Sequence, residues 1–305
     1  MPIAALPQNT VRAIGSTSVI TDPCSIVKEL LDNALDASAS SVFVEISQNT
    51  LDVIQVKDNG HGIQSEDHAV VCKHAFTSKI QTVEDLRHIG RKMLGFRGEA
   101  LSSAVEMSGG FTVSTRVGVE SVGSSIKYGR NGELIRYLIS FTWFANTVEL
   151  TTSCSSQRVS HPVGTTVRVT DFLKHIPVRK QTALKSAGKM LSKIKKLLQT
   201  YAICHPTKRF SLKVIKAKNE SNNWMYAGGQ NASLMDAALK IVGTEIASHC
   251  MIKEWPSEED SNGYKLVALL PKEGTGKKYH PPFPSQLSDC HRSHKSQQRW
   301  PVFQR

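Results

Sequence analysis

Residues 22–37 read DPCSIVKELLDNALDA and predict an amphipathic helix. Asp22 suits the N-cap, because its carboxylate can accept from the first backbone N–H groups, and Pro23 suits the first helical position. The apolar residues recur at the spacing that places them on one helix face. They are Ile26, Val27, Leu30, Leu31, Ala34 and Leu35. The pattern therefore predicts a helix that packs one face against a core.

Glu29 and Asn33 lie four residues apart in this stretch, so a helix projects both side chains from the same face. An amide oxygen can bind a hard cation such as Mg²⁺, and a carboxylate can orient and deprotonate a water molecule. A surface pair near Lys28 and Asp32 would have the same spacing. These residues alone leave both interpretations open.

Two alternating strands follow, at residues 41–47 and 51–57, and the sequence DNGHG comes directly after the second. Asp58 begins this loop, and Gly60 and Gly62 allow a backbone to approach a ligand closely. An Asp-Asn-Gly turn that merely closes a hairpin would look the same. Further strands are predicted at residues 111–117, 122–128, 133–140 and 164–170.

Two later segments suit phosphate binding. Thr77, Ser78 and Lys79 are followed by GFRGEAL at residues 95–101, which places a glycine-containing loop before a predicted helix. Backbone N–H groups at a helix N-terminus attract phosphate, although a plain surface loop is the alternative. The chain has no P-loop and no dinucleotide fingerprint.

The basic charge is concentrated in one segment. The 305 residues contain 38 Lys and Arg against 26 Asp and Glu, a formal charge of +12. Residues 174–218 hold 13 of the basic residues and none of the acidic ones, which leaves 25 − 26 = −1 for the rest. Within it, residues 182–204 predict one helix that carries Lys185, Lys189, Lys193 and Lys196 on one face. A polyanion bound through its phosphates fits this stripe, and so does a solvated helix face.

Composition narrows the class of protein. Hydrophobic residues make up 40% and charged residues 21%, which is typical of a soluble globular chain. We expect no membrane span, because no run of 18 apolar residues occurs. We expect the six scattered cysteines to be reduced thiols rather than disulfides or a zinc site, and the protein to be intracellular.

Taken in order, ELLDNALDA, DNGHGI, TSK with GFRGEAL, and VGTTVRV resemble the nucleotide site of the GHKL ATPases. Within that group, VKELLDNALDA, KHAFTSKI, GFRGEALSSA and HPVGTTVRVTDFLKHIPVRKQ resemble the MutL-type mismatch repair family nearly block for block. The likeness is greatest to its eukaryotic post-meiotic-segregation branch. It covers residues 5–140 and 161–272 and corresponds to the N-terminal region of that family.

The resemblance implies an α/β sandwich with one mixed sheet covered by helices on one face, over residues 1–204. A smaller, truncated α+β domain similar to a ribosomal protein would occupy residues 207–272, and the residues HPTKR at 205–209 themselves indicate a linker near its start. Residues 136–160 are either a strand pair or an insertion foreign to the family. Residues 273–305 are expected to be a disordered or off-family tail.

The resemblance also implies residue roles. Glu29 would be the general base, Asn33 would bind Mg²⁺, and Asp58 would accept from the adenine amino group of ATP. Gly60 and Gly62 would lie against the base and ribose, Thr77, Ser78 and Lys79 would flank the phosphates, and Thr166 would close the adenine end. A lid over the phosphates would be formed by Gly95, Phe96, Arg97, Gly98, Glu99, Ala100 and Leu101.

The implied function is that of a nucleotide-gated clamp subunit on double-stranded DNA. Its implied partners are another MutL-type subunit and mismatch-recognition proteins, with no membrane partner, in the nucleus. No segment matches the family's later lysine-bearing segment toward the γ-phosphate, so we expect ATP binding with weak hydrolysis. The alternative is a non-catalytic DNA-binding module whose nucleotide site is only structural.

Overall fold

The computed structural model describes residues 3, 5–80, 82, 84–87, 93–95, 98–135, 137–141, 150–154, 156–217, 220–255 and 266–272. Its helices are α1 (Gln8–Val19), α2 (Pro23–Asp36), α3 (Ala100–Met107), α4 (Pro177–Lys185), α5 (Ala187–Cys204), α6 (Leu234–Val242) and α7 (Thr244–Ser248). Among the described residues, no helix combines the length and the apolar character needed to cross a membrane.

Eight strands form one mixed sheet. They are β1 (Ser41–Ser47), β2 (Val53–Asp58), β3 (Ser108–Arg116), β4 (Gly123–Tyr128), β7 (Gln157–Val159), β8 (Gly164–Phe172), β9 (Arg209–Ile215) and β10 (Trp224–Tyr226). Two separate antiparallel pairs are formed by β5 (Tyr137–Phe141) with β6 (Leu150–Cys154) and by β11 (Cys250–Trp255) with β12 (Leu266–Pro271). The order in the large sheet is β10-β9-β1-β2-β8-β3-β4-β7. The pairing of β1 with β9 is parallel, and the other pairings are antiparallel.

The core lies on one face of this sheet. Along β2, Ile54 and Val56 are buried while the intervening residues are partly exposed, as strand alternation requires. Helices α2, α3 and α5 pack on the buried face, and Gln55 and Arg168 hydrogen-bond on the other. The predicted mixed sheet with helices on one face is confirmed.

Helix α2 begins where its sequence predicts. The Asp22 carboxylate accepts from the Ser25 N–H at 2.7 Å, and the Ser25 hydroxyl oxygen accepts from the Asp22 N–H at 3.1 Å. Pro23 occupies the first helical position. The preceding helix α1 was not predicted, because its sequence lacks a capping side chain and a first-turn acid.

Residues 205–209, predicted as a linker, lead directly into strand β9 of the large sheet. Strand β9 pairs in parallel with β1 over seven residue pairs, and the Arg209 N–H donates to the Ser40 carbonyl. Strands β9 and β10 therefore extend the large sheet, and α6 packs on α5. The hairpin of β11 and β12 is a separate sheet.

Two further expectations concern particular segments. The single helix predicted over 182–204 is divided into α4 and α5 at Ser186, so Lys185 belongs to a different helix from Lys189, Lys193 and Lys196. The predicted strand pair within 136–160 is present as β5 and β6. Residues 273–305 lie outside the described residues.

Candidate functional site

Asp58 ends β2 on the face that the helices cover, and its residue is 8% exposed. Its Oδ1 accepts from the Gly60 N–H at 2.8 Å and from the Thr165 N–H at 3.3 Å. Burial raises the pKa of this carboxyl above the usual 3.8, although both N–H groups oppose the rise. Within the described part of the chain both N–H groups donate to Oδ1, so Oδ2 can accept a hydrogen bond from another donor.

The loop after Asp58 requires its glycines. A Cβ at Gly60 would lie 2.7 Å from the Ala37 carbonyl oxygen and 3.0 Å from Asp58 Oδ1. Gly62 has a φ of +81°, and a Cβ there would lie 2.4 Å from the Arg116 carbonyl oxygen. The loop therefore lies tightly against the C-terminal end of α2 and the end of β3.

Thr165, not Thr166, lies beside Asp58. Thr165 is buried and its hydroxyl is 3.2 Å from that of Thr115. Thr166 opposes Lys57 across the ladder, on the other face of the sheet, and its hydroxyl is 2.8 Å from His161 Nε2. The predicted position of Thr166 is therefore corrected by one residue, because successive side chains of a strand point to opposite faces.

A pair of valine substitutions tests this correction. On the expectation that an adenine nucleotide binds at Asp58, Thr165→Val should weaken ADP binding about tenfold, because it removes one buried hydroxyl beside Asp58, worth about 1–1.5 kcal/mol. Thr166→Val, the same change on the outer face, should leave ADP affinity unchanged. Titration calorimetry measures both, and a larger effect at Thr166 would contradict the placement.

Asn33 lies next to Lys79 and the segment that precedes α3. The Lys79 ammonium donates to Asn33 Oδ1 at 3.0 Å and to Asp36 Oδ2 at 2.5 Å. The N–H groups of Leu94 and Gly95 donate to the same Asp36 carboxylate. The structure thus brings together Asn33, Lys79 and Gly95, and adds Asp36, which the sequence analysis missed.

Glu29 lies one turn before Asn33 in α2 and is partly buried. The i, i+4 spacing in a regular helix places both side chains on one face, as predicted. Asp32, on a neighbouring position, is instead a packing residue: it is 4% exposed, pairs with Lys28 at 2.8 Å and accepts from the Tyr201 hydroxyl.

The remaining lid and phosphate residues are partly described. The Gly98 carbonyl accepts from the Ala75 N–H at 3.1 Å, and Gly98 has a φ of +64°. Glu99 precedes α3, whose first residues are Ala100 and Leu101. The Thr77 hydroxyl accepts from the Lys79 N–H at 3.2 Å, and Ser78 is exposed. Phe96 and Arg97 lie outside the described residues.

These groups fit an adenine nucleotide with Mg²⁺. A buried carboxylate oxygen can accept from an amino group of the base, and the missing Cβ at Gly60 lets the loop backbone lie close to this carboxylate. Mg²⁺ commonly uses one or two protein oxygens together with substrate phosphates. Asn33 Oδ1 offers one such oxygen, and the ammonium of Lys79 beside it suits phosphate.

The lysine stripe is divided by an ion pair. Lys193 pairs with Asp22 at 2.6 Å, and this contact raises the pKa of Lys193. Lys185, Lys189 and Lys196 are exposed and make no ion pair within the described part of the chain. We call these three residues the basic surface.

Comparison with known proteins gives consistent results. Residues 21–127 match the family model "Histidine kinase-, DNA gyrase B-, and HSP90-like ATPase". The human PMS1 protein homolog 1 is 31% identical over 270 residues, which cover 88% of this chain and 26% of that protein. The DNA mismatch repair protein MutL of Agathobacter rectalis is 33% identical over 246 residues, which cover 81% of this chain and 33% of the length of that protein.

A solved structure is similar as well. The Aquifex aeolicus MutL ATPase domain complexed with ADP aligns with a TM-score of 0.51 at 27% identity, covering 77% of this chain and 72% of that one. The chain spans about a quarter to a third of the length of the two curated relatives above.

Proposed function

We propose that this chain binds and hydrolyses ATP with Mg²⁺ in a DNA mismatch repair complex. Its residues 21–127 match the histidine kinase-, gyrase- and HSP90-like ATPases, and the chain is a homologue of the MutL mismatch repair proteins. The observation that carries this proposal is the buried Asp58 carboxylate with one oxygen bound to two backbone N–H groups. That arrangement leaves the other oxygen to read the amino group of adenine.

The roles of the other site residues follow from their positions on α2 and beside it. Asn33 would hold Mg²⁺, which supplies charge neutralisation at the phosphates when bound. Lys79 hydrogen-bonds to Asn33, and Thr77 hydrogen-bonds to the Lys79 backbone, so both residues lie near Asn33 and would contact the phosphates. Glu29, one turn earlier, would orient and deprotonate the attacking water. Thr165 and Gly60 would enclose the adenine end.

Equilibrium titration tests the proposal directly. ADP and ATP should each bind one site per chain, and Mg²⁺ should tighten both. GDP should bind at least about tenfold more weakly, because its carbonyl oxygen would face the Asp58 acceptor. Equal affinity for ADP and GDP, or no saturable binding of either, would contradict the proposed site.

We further propose that the basic surface contacts the phosphate backbone of double-stranded DNA. The proposed protein partners are another MutL-type subunit and mismatch-recognition proteins, and the proposed location is the nucleus. The exposure of Lys189 and Lys196, and the lack of Asp and Glu in the sequence from 174 to 218, support their use in this DNA contact. These two lysines lie seven residues apart on one face of α5. Lys193 is less suited, because its ammonium already pairs with Asp22.

Charge reversal on α5 tests the DNA contact. Lys189→Glu should weaken duplex binding equally for all sequences and lower the salt slope by about one. Lys253→Glu, an exposed lysine on β11, provides the same charge change elsewhere. Fluorescence anisotropy across a salt series measures both variants, and equal effects of the two would show that only the total charge matters.

A further inference from the structure

Asp36 is the last residue of α2, and its side chain is 6% exposed. Its Oδ1 accepts from the Leu94 N–H at 2.8 Å, and its Oδ2 accepts from the Gly95 N–H at 3.1 Å and from the Lys79 ammonium at 2.5 Å. Two successive backbone N–H groups and one ammonium thus converge on a single internal carboxylate. The proposed function gives Asp36 no role.

The contacts form one compact cluster around Asn33. The side chain of Lys79 is 17% exposed, and its ammonium bridges Asp36 and Asn33. The backbone of Gly95 lies directly over them, since a Cβ there would be 3.3 Å from Lys79 Nζ and 3.6 Å from Asn33 Oδ1. The beginning of the lid is therefore fixed to the helix that carries Asn33.

We propose that Asp36 is a positioning residue that anchors the start of the lid at Leu94 and Gly95 and holds the Lys79 ammonium beside Asn33. The anchoring follows from the contacts alone. The consequence for nucleotide binding rests on the proposed function. The Gly95 N–H already donates to Asp36, so in this arrangement it is not free to bind a phosphate.

Charge gives Asp36 a second effect. The ammonium of Lys79 lies 3.0 Å from the amide oxygen proposed to bind Mg²⁺. The carboxylate of Asp36 neutralises that ammonium, and without it a divalent cation at Asn33 would meet an uncompensated positive charge. Asp36 should therefore raise the affinity for ADP in the presence of Mg²⁺ more than it raises the affinity for ADP without Mg²⁺.

Hydrogen exchange in the full chain without nucleotide tests the anchor. Asp36→Asn has one oxygen where the carboxylate has two, so it cannot satisfy all three donors. Protection of the Leu94 and Gly95 amides should fall at least about tenfold, as expected for loss of a local closed state. Asp32→Asn, the same change at a buried, paired carboxylate in the same helix, should leave both amides protected. Unchanged protection in Asp36→Asn would overturn the anchor.

Calorimetric titration tests the charge effect. In wild type, the ratio of ADP affinity with Mg²⁺ to that without it defines a Mg²⁺ factor. Asp36→Asn should lower this factor at least about fivefold, because the Lys79 ammonium then repels the metal. Asp32→Asn should leave it unchanged. A purely structural defect would weaken ADP equally with and without Mg²⁺, and that outcome would overturn the charge effect.

A second variant covers the case in which Asp36→Asn does not fold. Lys79→Met removes the ammonium and keeps the Asp36 carboxylate with its two backbone donors. Its Mg²⁺ factor should rise above that of wild type, and a fall would overturn the proposal. Failure of wild type to bind ADP would refute the proposed function, while the exchange measurement would still decide the anchor.

Discussion

Asp58→Asn is expected to reduce ADP affinity at least about 100-fold, since a charge-assisted hydrogen bond worth about 1.5–3 kcal/mol is replaced by opposed donors. The two backbone N–H groups on Oδ1 hold the asparagine oxygen in that position. Its amide nitrogen then occupies the place of Oδ2 and faces the adenine amino group. GDP should lose less affinity than ADP, because its carbonyl oxygen can accept from that nitrogen.

The pH dependence of the same carboxyl has a defined sign. Burial raises the pKa of Asp58 above 3.8, so its protonation on acidification begins at a higher pH than for an ordinary aspartate. ADP affinity should fall as the pH falls through this raised pKa, and Asp58→Asn should show no such fall. Because the folded pKa exceeds the unfolded one, the ionised carboxylate costs stability at neutral pH, and protonation relieves that cost.

Stability provides the control for this variant. The asparagine keeps both N–H contacts and removes a buried charge, so the free energy of unfolding should change by less than about 1 kcal/mol. Urea unfolding followed by circular dichroism measures it. ADP affinity within threefold of wild type in a folded Asp58→Asn would contradict the role of Asp58.

Glu29→Ala is expected to lower the rate of ATP hydrolysis about 10²–10⁴-fold, the usual contribution of a general base. ATP affinity should change little, because Glu29 acts on water and Asn33, Lys79 and Asp58 hold the nucleotide. Single-turnover hydrolysis with calorimetric binding separates the two quantities. Glu29→Gln, which keeps the shape and loses the basicity, should behave similarly.

A matched glutamate on the outer face of the sheet controls for general damage. Glu45 accepts from Gln55 at 2.7 Å on the outer face, away from α2, and Glu45→Gln should leave turnover unchanged. Turnover that survives in Glu29→Ala would refute the enzymatic function. The non-catalytic DNA-binding module, with a nucleotide that only stabilises the fold, would then be the better account.

Local patterns predicted much of the fold, and non-local pairing did not follow from them. Asp22 and Pro23 fix the start of α2 through contacts within four residues, which a sequence displays directly. The parallel pairing of β9 with β1 joins residues about 170 apart. Polar residues at 205–209 resemble a linker, and nothing in their composition indicates that the next strand returns to the first sheet.

Two residues of the site, Thr165 and Asp36, show the same contrast between local patterns and contacts that are distant in sequence. Strand parity could have found Thr165, since it shares the parity of the buried Val167 and Val169, which face the helices. Asp36 was missed because its partners Lys79 and Gly95 are 43 and 59 residues away. Its position three residues after Asn33 was the available signal, and it also fits an ordinary exposed helix end.

Titration of the isotopically labelled full chain with Mg²⁺ and ADP, followed by amide resonances, tests most directly whether α2, Asp58 and the lid start form one nucleotide site. The largest saturable shifts should occur at Gly60, Lys79, Gly95 and Thr165 with a single dissociation constant. Shifts confined to the basic surface, or different dissociation constants at Gly60 and Gly95, would contradict a single adenine nucleotide site.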